Sequence, residues 1–476
     1  MRICSFFAAS VLILILLCPL QALGQSSSDQ PPPVMNLGRC LKIAFARSLD
    51  YNVALNRLED TRSTLVVAEN VVKGNLSSTA QSGGQSSNTS FTQGRVAGGA
   101  AYQMPAGDST SITGGTNVFQ GASSLSGDFT FSYDKPLMKG STAIVGSAQR
   151  FKARRDLSRE ELKFYIFRQD MAQDIISQYY LLVQARQMVD LSQANVDGAR
   201  DALHRARRRF EEGQVPKIDE KRAEIYFYQS QDGLLRSAMQ WESLRDKFMI
   251  RLGLDPRVNS DVSYKIEYQV TDVDETASIT TALQVRKEIE VLRWQMAQND
   301  DDVYIARNAK KPSLDFTAGY TSPQQQAFLG QAPLPQYPSW STGLNFSQPL
   351  WDVSFSQNLK RTLRTLNLTG QAIEDQSRRI VAEVKYAVRQ VSQARSQIEL
   401  NEKKLGAARE SLRLATRSWE EGLSTNREVI DAQGAMIEAQ TNLAQAKIAY
   451  ILAQINLKRT TGEDLCSLQQ TGDSSR

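Results

Sequence analysis

The sequence predicts a mainly α-helical chain with a β part, assembled from one unit that occurs twice. Three observations predict this class. Short motifs recur at a near-constant spacing; long stretches place a small or apolar residue every three or four positions; and shorter stretches upstream of them alternate apolar with polar residues.

The chain opens on Met1-Arg2 and a nearly unbroken apolar run over residues 3–20, followed by Ala22-Leu23-Gly24. A short positive start, an apolar middle and small residues at the −3 and −1 positions make residues 1–24 a secretory signal peptide, with an uncleaved anchor as the alternative. Cys18 follows the bulky Leu17, which does not suit lipid attachment. A flexible segment, 25–35, is expected next. Two cysteines then remain, Cys40 and Cys466. In an oxidising compartment they form a candidate disulfide or stand as two buried thiols, and spacing in sequence does not decide between these.

Composition excludes several functions. The chain has 56 basic and 51 acidic residues, too small a surplus for a dedicated nucleic-acid binder. One histidine, His204, and four cysteines leave little for a zinc or haem site, and no cofactor is expected. A hydrolase built on the paired carboxylates Glu211 and Glu212 is the enzymatic alternative. That pair adjoins a helix turn with no apolar pocket signal, so no enzyme is expected.

The repeat orders the rest. Phe210-Glu211-Glu212-Gly213 returns as Trp419-Glu420-Glu421-Gly422, 209 residues later. Phe131 to Leu137 resembles Leu344 to Leu350 at an offset of 213, and Ala68 to Leu76 resembles Ala306 to Leu314 at 238. The first copy is therefore longer, chiefly between Leu76 and Pro136, and a longer loop is expected there. The copies are placed at 36–255 and 277–465, with a polar linker at 256–276 and a flexible tail at 466–476.

Within each copy Leu182, Ala185, Val189, Ser192, Val196, Ala199, Leu203, Ala206 and Phe210 step by three and four. Their counterparts run from Val391 to Trp419. A 3.5-residue period keeps one stripe facing a partner helix, the seam of a coiled coil. The stripe resumes after Gly422 at Val429, Ala432, Met436 and Ala439, which predicts a helical hairpin bent at that glycine and a matching one at Gly213. A helix over 147–212 would be roughly 100 Å long at 1.5 Å per residue, and its returning arm, 218–252, about half of that. Shorter helices are expected over 37–72 and 277–308. An ordinary four-helix bundle does not account for the unequal arms.

Ahead of the long helices, Leu125, Gly127, Phe129, Phe131 and Tyr133 alternate with polar residues; so do Leu314, Phe316, Ala318 and Tyr320, and Trp340, Thr342, Leu344 and Phe346. Period two marks strands, in a soluble sheet or in a transmembrane barrel. The Ser/Gly/Thr/Gln-rich tract 77–120 holds a strand whose limits the pattern does not fix.

This duplicated order, with Pro-Leu after the second strand and an aromatic-x-x-Gly turn, resembles the TolC-like outer-membrane efflux proteins of Gram-negative bacteria. The resemblance covers nearly the whole mature chain. It implies a homotrimer in which each protomer gives four strands to a twelve-stranded outer-membrane β-barrel and its helices to a periplasmic α-helical barrel. It implies partners as well: a periplasmic adaptor, an inner-membrane transporter, outer-membrane lipid, and no nucleic acid. The expected function is a channel-tunnel that conducts exported molecules outward. A periplasmic structural coiled-coil protein without a barrel is the alternative.

The resemblance also assigns roles. The turns Gly213-Gln214-Val215-Pro216 and Gly422-Leu423-Ser424-Thr425 become the periplasmic tip, where an adaptor docks. Glu428 and Asp431, three apart on one helix face, match the acidic pore constriction; a solvated helix start with favourable charge is their other reading. The family ties its tip with a tyrosine and an arginine, whose positions match Trp419 and Ser424 here, and with an aspartate kept as Asp219. The lock is altered, and Arg222 or Arg427 is the candidate substitute. The run Arg205, Arg207, Arg208, Arg209 is a solvated face or an adaptor contact.

Overall fold

The computed structural model describes residues 34–70, 72–85, 89–104, 107–120, 124–257, 261–262, 272–322, 327–328 and 337–467. The expected signal peptide, most of the 25–35 segment and of the linker, and the tail beyond residue 467 lie outside the described residues. The first copy runs β1 (Val34–Met35), α1 (Leu37–Arg47), α2 (Leu49–Glu69), β2 (Val72–Gln85), β3 (Thr89–Gln103), β4 (Ser109–Gln120), β5 (Ser124–Pro136), α3 (Ala143–Gly146), α4 (Ala148–Glu211) and α5 (Lys217–Leu252). After β6 (Asp261–Val262), which pairs in parallel with β1, the second copy runs α6 (Glu275–Val285), α7 (Lys287–Ala309), β7 (Ser313–Thr321), β8 (Ala327–Phe328), β9 (Ser339–Ser347), α8 (Ser354–Glu420) and α9 (Asn426–Thr461). A short 3₁₀ turn, Leu465–Ser467, ends the described chain.

Each opening helix, expected as one piece, is broken once. Ser48 (ψ 133°) and Arg286 (ψ 126°) both adopt extended backbone between two helices. They lie 238 residues apart, the offset of the neighbouring repeat motifs.

The long helices carry the predicted seam inward. Val196, Ala199, Leu203 and Ala206 of α4, and Val391, Ala394, Ile398 and Leu405 of α8, are buried, as are Val429, Ala432, Ala439, Ala446 and Tyr450 of α9. Small side chains at these rungs let the helices approach closely over arms of 64 and 67 residues.

The unequal arms have a simple geometry. α5 packs antiparallel to the far part of α4, with Tyr226 Oη donating to Asn195 Oδ1 at 2.9 Å and Arg251 Nε to Asp174 Oδ2 at 2.8 Å. α2 packs antiparallel to the near part, through Arg57–Glu160 (2.9 Å) and Arg154–Glu69 (2.7 Å). The two short helices thus lie end to end along the long one, and Arg251 also pairs with Asp50 where they meet.

The largest apolar cluster sits at this junction. It joins Cys40, Leu41 and Ala44 of α1 to Ile175, Ile176, Tyr179 and Val183 of α4, Phe248, Met249 and Leu252 of α5, and Ile451 and Ile455 of α9. Burying one such large side chain contributes about 1.5–3 kcal/mol, so the waist of the molecule holds the two copies together. No helix among the described residues is long and apolar enough to cross a membrane.

The sheet runs β2-β3-β4-β5-β7-β9, every pair antiparallel, with the short β8 beside β5. The alternating segments predicted at 125–133, 314–320 and 340–346 are β5, β7 and β9. Where the resemblance implies four strands per protomer, the main path of the sheet has six among the described residues. The tract 77–120 adds a whole hairpin, where a long loop was expected. Cross-strand register aligns Ala100, Ile112, Phe131, Tyr320 and Trp340 in one row. That face is apolar and exposed, with Phe129, Leu344 and Phe346 on it. The other face is polar, carrying Ser111 and Ser132 in a 2.6 Å hydroxyl contact, Asp315 and Asn345.

Candidate functional site

Each helical hairpin reverses through the same turn. Gly213 N donates to Phe210 O (2.9 Å) and Gln214 N to Arg209 O (2.8 Å); Gly422 N donates to Trp419 O (3.1 Å) and Leu423 N to Ser418 O (2.8 Å). These paired bonds are the Schellman closure of a helix, which requires a left-handed residue after the last turn. Gly213 has φ 74° and Gly422 φ 75°. Pro216 and Thr425, both extended, then open α5 and α9. Gln214, Val215, Leu423 and Ser424 complete the two turns, and Leu423 projects into solvent at 79% exposure.

The two turns are held side by side by residues of both copies. The Arg209 guanidinium lies 4.1 Å from the centre of the Trp419 ring and donates to Trp419 O (2.8 Å) and Glu420 O (3.0 Å). Asn426, buried at the start of α9, donates Nδ2 to Asp219 O at 3.2 Å. Of the expected lock residues, Trp419 is therefore in a tie, but its partner is Arg209. Asp219 joins chiefly through its backbone carbonyl. Arg222 reaches Asp219 on its own helix (3.5 Å), and Arg427 reaches Asp431 on its own helix (3.6 Å), so neither bridges the hairpins within the protomer. Arg207, in the same run as Arg209, pairs with Glu220 (3.6 Å) and Glu224 (3.5 Å) of α5. Sequence reading missed Asn426 and the special place of Arg209. The signal for Arg209 was available: it lies ten residues before Asp219 and directly precedes the turn aromatic Phe210.

Glu428 and Asp431 stand on the exposed face of the first turns of α9, opposite buried Asn426, Val429 and Ala432. Glu428 Oε1 is 3.4 Å from Thr425 Oγ1. Within one protomer both carboxylates face away from the other helices of the hairpins. Cys40 and Cys466 are separate thiols in one apolar cluster, not the disulfide that the sequence left open. Burial pushes the Cys40 thiol up to about 12 and raises Cys466 as well.

Comparison with known proteins places this geometry. Residues 278–463, which span most of the second copy, match the family model described as "Outer membrane efflux protein". The outer membrane protein TolC of Salmonella enteritidis is 20% identical over 327 residues, which are 66% of this chain and 66% of that protein, just under two thirds. Solved structures agree over more of the fold. VceC of Vibrio cholerae superposes with a TM-score of 0.68 at 15% identity, covering 90% of this chain and 96% of that one. The open state of the Neisseria gonorrhoeae MtrE outer-membrane channel gives 0.69 at 16% identity, covering 90% and 89%. With the duplicated helical hairpins and a sheet apolar on one face, these likenesses establish the fold of the TolC-like outer-membrane channels over nine tenths of the chain, with the second copy matching the outer membrane efflux protein model.

Proposed function

We propose that three copies of the chain form one continuous duct, which receives its cargo at the helical tip and releases it outside the cell. The two-faced sheet carries this reading. An exposed row of Ile112, Phe131, Tyr320 and Trp340 is costly in water and favourable against lipid, and the polar face behind it suits a wet lumen. A sheet with two open ends cannot persist in lipid, so it has to close against further copies. A periplasmic coiled-coil protein without a barrel would leave the apolar face in water.

The tip turns are the surface for a periplasmic adaptor, through which an inner-membrane transporter drives export. The exposed Gln214 and Leu423 and the half-buried Val215, with the arginines behind them, are the contacts available to it. Glu428 and Asp431 form the constriction, six carboxylates in the trimer. Like charges so gathered favour cations over anions in a narrow polar passage. The test is direct. Detergent-extracted outer membranes should yield a species whose lysine cross-linking stops at three chains and which forms cation-selective channels in planar bilayers. A soluble monomer without channel activity would end this reading.

A further inference from the structure

Among the described residues the first copy gives the large sheet four strands and the second gives it two long ones, and the added pair is built like the rest of the wall. β2 and β3 are 14 and 15 residues long, longer than the roughly 9–11 residues of a tilted strand that crosses a bilayer. The turn from β3 to β4 lies at the helical end of the sheet. Met104 N donates to Asp108 O at 2.8 Å, and a Cβ on Gly107 would come 2.6 Å from Gly140 O. Gly140 is itself fixed there by Asn308 of α7, whose Oδ1 accepts from its N–H at 2.9 Å. β3 therefore descends the full height of the sheet before β4 rises again.

The faces agree as well. Leu76, Val96 and Tyr102 are exposed on the apolar side. On the polar side, Arg95 of β3 reaches across β4 to Asp128 of β5 at 3.2 Å. It passes over Gly115, where a Cβ would lie 3.2 Å from Arg95 Nε. A side chain at 115 would crowd this bridge, which fastens the extra hairpin to the older part of the wall.

We infer that the β2–β3 hairpin is part of the barrel wall, so that β9 of one copy pairs with β2 of the next and three copies close an eighteen-stranded barrel. This rests on the trimeric membrane reading above. β2 and β9 are the two ends of the sheet, and antiparallel pairing of one with the other continues its pattern. The perimeters fit. At about 4.8 Å between strands and about 40° of tilt, eighteen strands make a ring of roughly 110 Å and twelve only about 75 Å. At any height each protomer offers four helices: α4 and α8, with α2 and α7 nearer the sheet or α5 and α9 nearer the tip. Twelve helices at about 9–10 Å spacing need roughly 110–120 Å. The wider barrel meets the helical ring without a taper, and its lumen is about half again as wide as that of a twelve-stranded one. Size selection then falls to the tip rather than to the exit.

Cysteine pairs in outer membranes of the full chain test this. Asn75→Cys or Ser77→Cys in β2, combined in turn with Ser341→Cys, Gly343→Cys or Asn345→Cys in β9, should give chains oxidised into covalent dimers and trimers. Ser111→Cys or Thr113→Cys in β4 with the same β9 partners should give none. Deleting residues 73–103 should reverse the outcome and move cross-linking to the β4 set. Cross-links from β4 to β9 in the undeleted chain would put the hairpin outside the wall and overturn the inference. So would a species of three chains in which neither set links. A monomer in the membrane would instead remove the trimeric reading on which the inference stands.

Discussion

Arg209 shows how one side chain can join two copies of a repeat. Its guanidinium covers the Trp419 ring and donates to two carbonyls of the other hairpin. A charged donor on a neutral acceptor contributes about 1.5–3 kcal/mol, and a cation over an indole about 0.5–2. Arg209→Ala should therefore loosen the tip by about 2–4 kcal/mol and increase both trypsin cleavage near Gly213 and basal ion conductance. Arg222→Ala should change neither, because Arg222 pairs within its own helix. Equal effects of the two substitutions would mean that the tip is not tied through Arg209. The carboxylates of α9 make a separate prediction. Glu428→Ala with Asp431→Ala should lower cation selectivity in planar bilayers and relax divalent-ion block at neutral pH. Trimers should still assemble, since both side chains are exposed while Val429 and Ala432 hold the seam. Unchanged selectivity in trimeric double mutant would return both residues to the role of a charged, solvated helix start.

At the scale of the element, glycines close the helices, and their surroundings rank the cost of replacing them. A Cβ at Gly213 or Gly422 would meet nothing within 4 Å, so alanine there costs the left-handed backbone penalty, about 1–2 kcal/mol. Gly253 has a similar φ of 76°, but its Cβ would lie 2.5 Å from Arg47 O. Gly253→Ala should thus lower the thermal midpoint distinctly more than either tip substitution, and equal losses would contradict this ranking. The helical elements were legible because a 3.5-residue seam of Val, Ala and Leu repeats over many turns and survives a shift of 209 residues. The helix breaks at Ser48 and Arg286 were not, since neither Pro nor Gly marks them; only tertiary packing selects an extended residue there. The extra hairpin left a trace in the fall of the offset from 238 to 213. Its strands stayed hidden because Gly, Ser, Ala and Thr on both faces give a weak period-two signal. At the hairpin ends the turns were readable, whereas the contact between them was not: Arg209 sits in a run of arginines, and only the fold shows which one faces Trp419.

For the whole molecule, what matters is how the two copies are fixed to each other at the waist. An ionic network joins them there. Arg459 of α9 bonds Asp170 of α4 at 2.6 Å and Glu288 of α7 at 3.2 Å. Glu288 also receives Arg286 at 2.9 Å, and Arg286 pairs in turn with Glu383 of α8. Burial alone would raise the Glu288 carboxyl, but the hydrogen bonds and charge of Arg286, with Arg459 behind it, outweigh that and hold it below the ordinary carboxylate value. A carboxylate held below its unfolded value stabilises the fold above that value, and the contribution is lost as pH falls through the folded one. Glu288 should therefore contribute fully at pH 7 and progressively less below about pH 4. Glu288→Gln leaves Arg286, only 7% exposed at its side chain, with a single anionic partner. Removing one member of a buried pair costs about 3–5 kcal/mol, and the remaining partners, Glu383 and Asp170, reduce this to about 2–3. Thermal melts of the detergent-purified protein should show Glu288→Gln well below the parent at pH 7, with the gap closing near pH 3. The same gap at both pH values would mean that the glutamate acts through packing rather than charge, and that the copies are held at the waist by their apolar cluster alone.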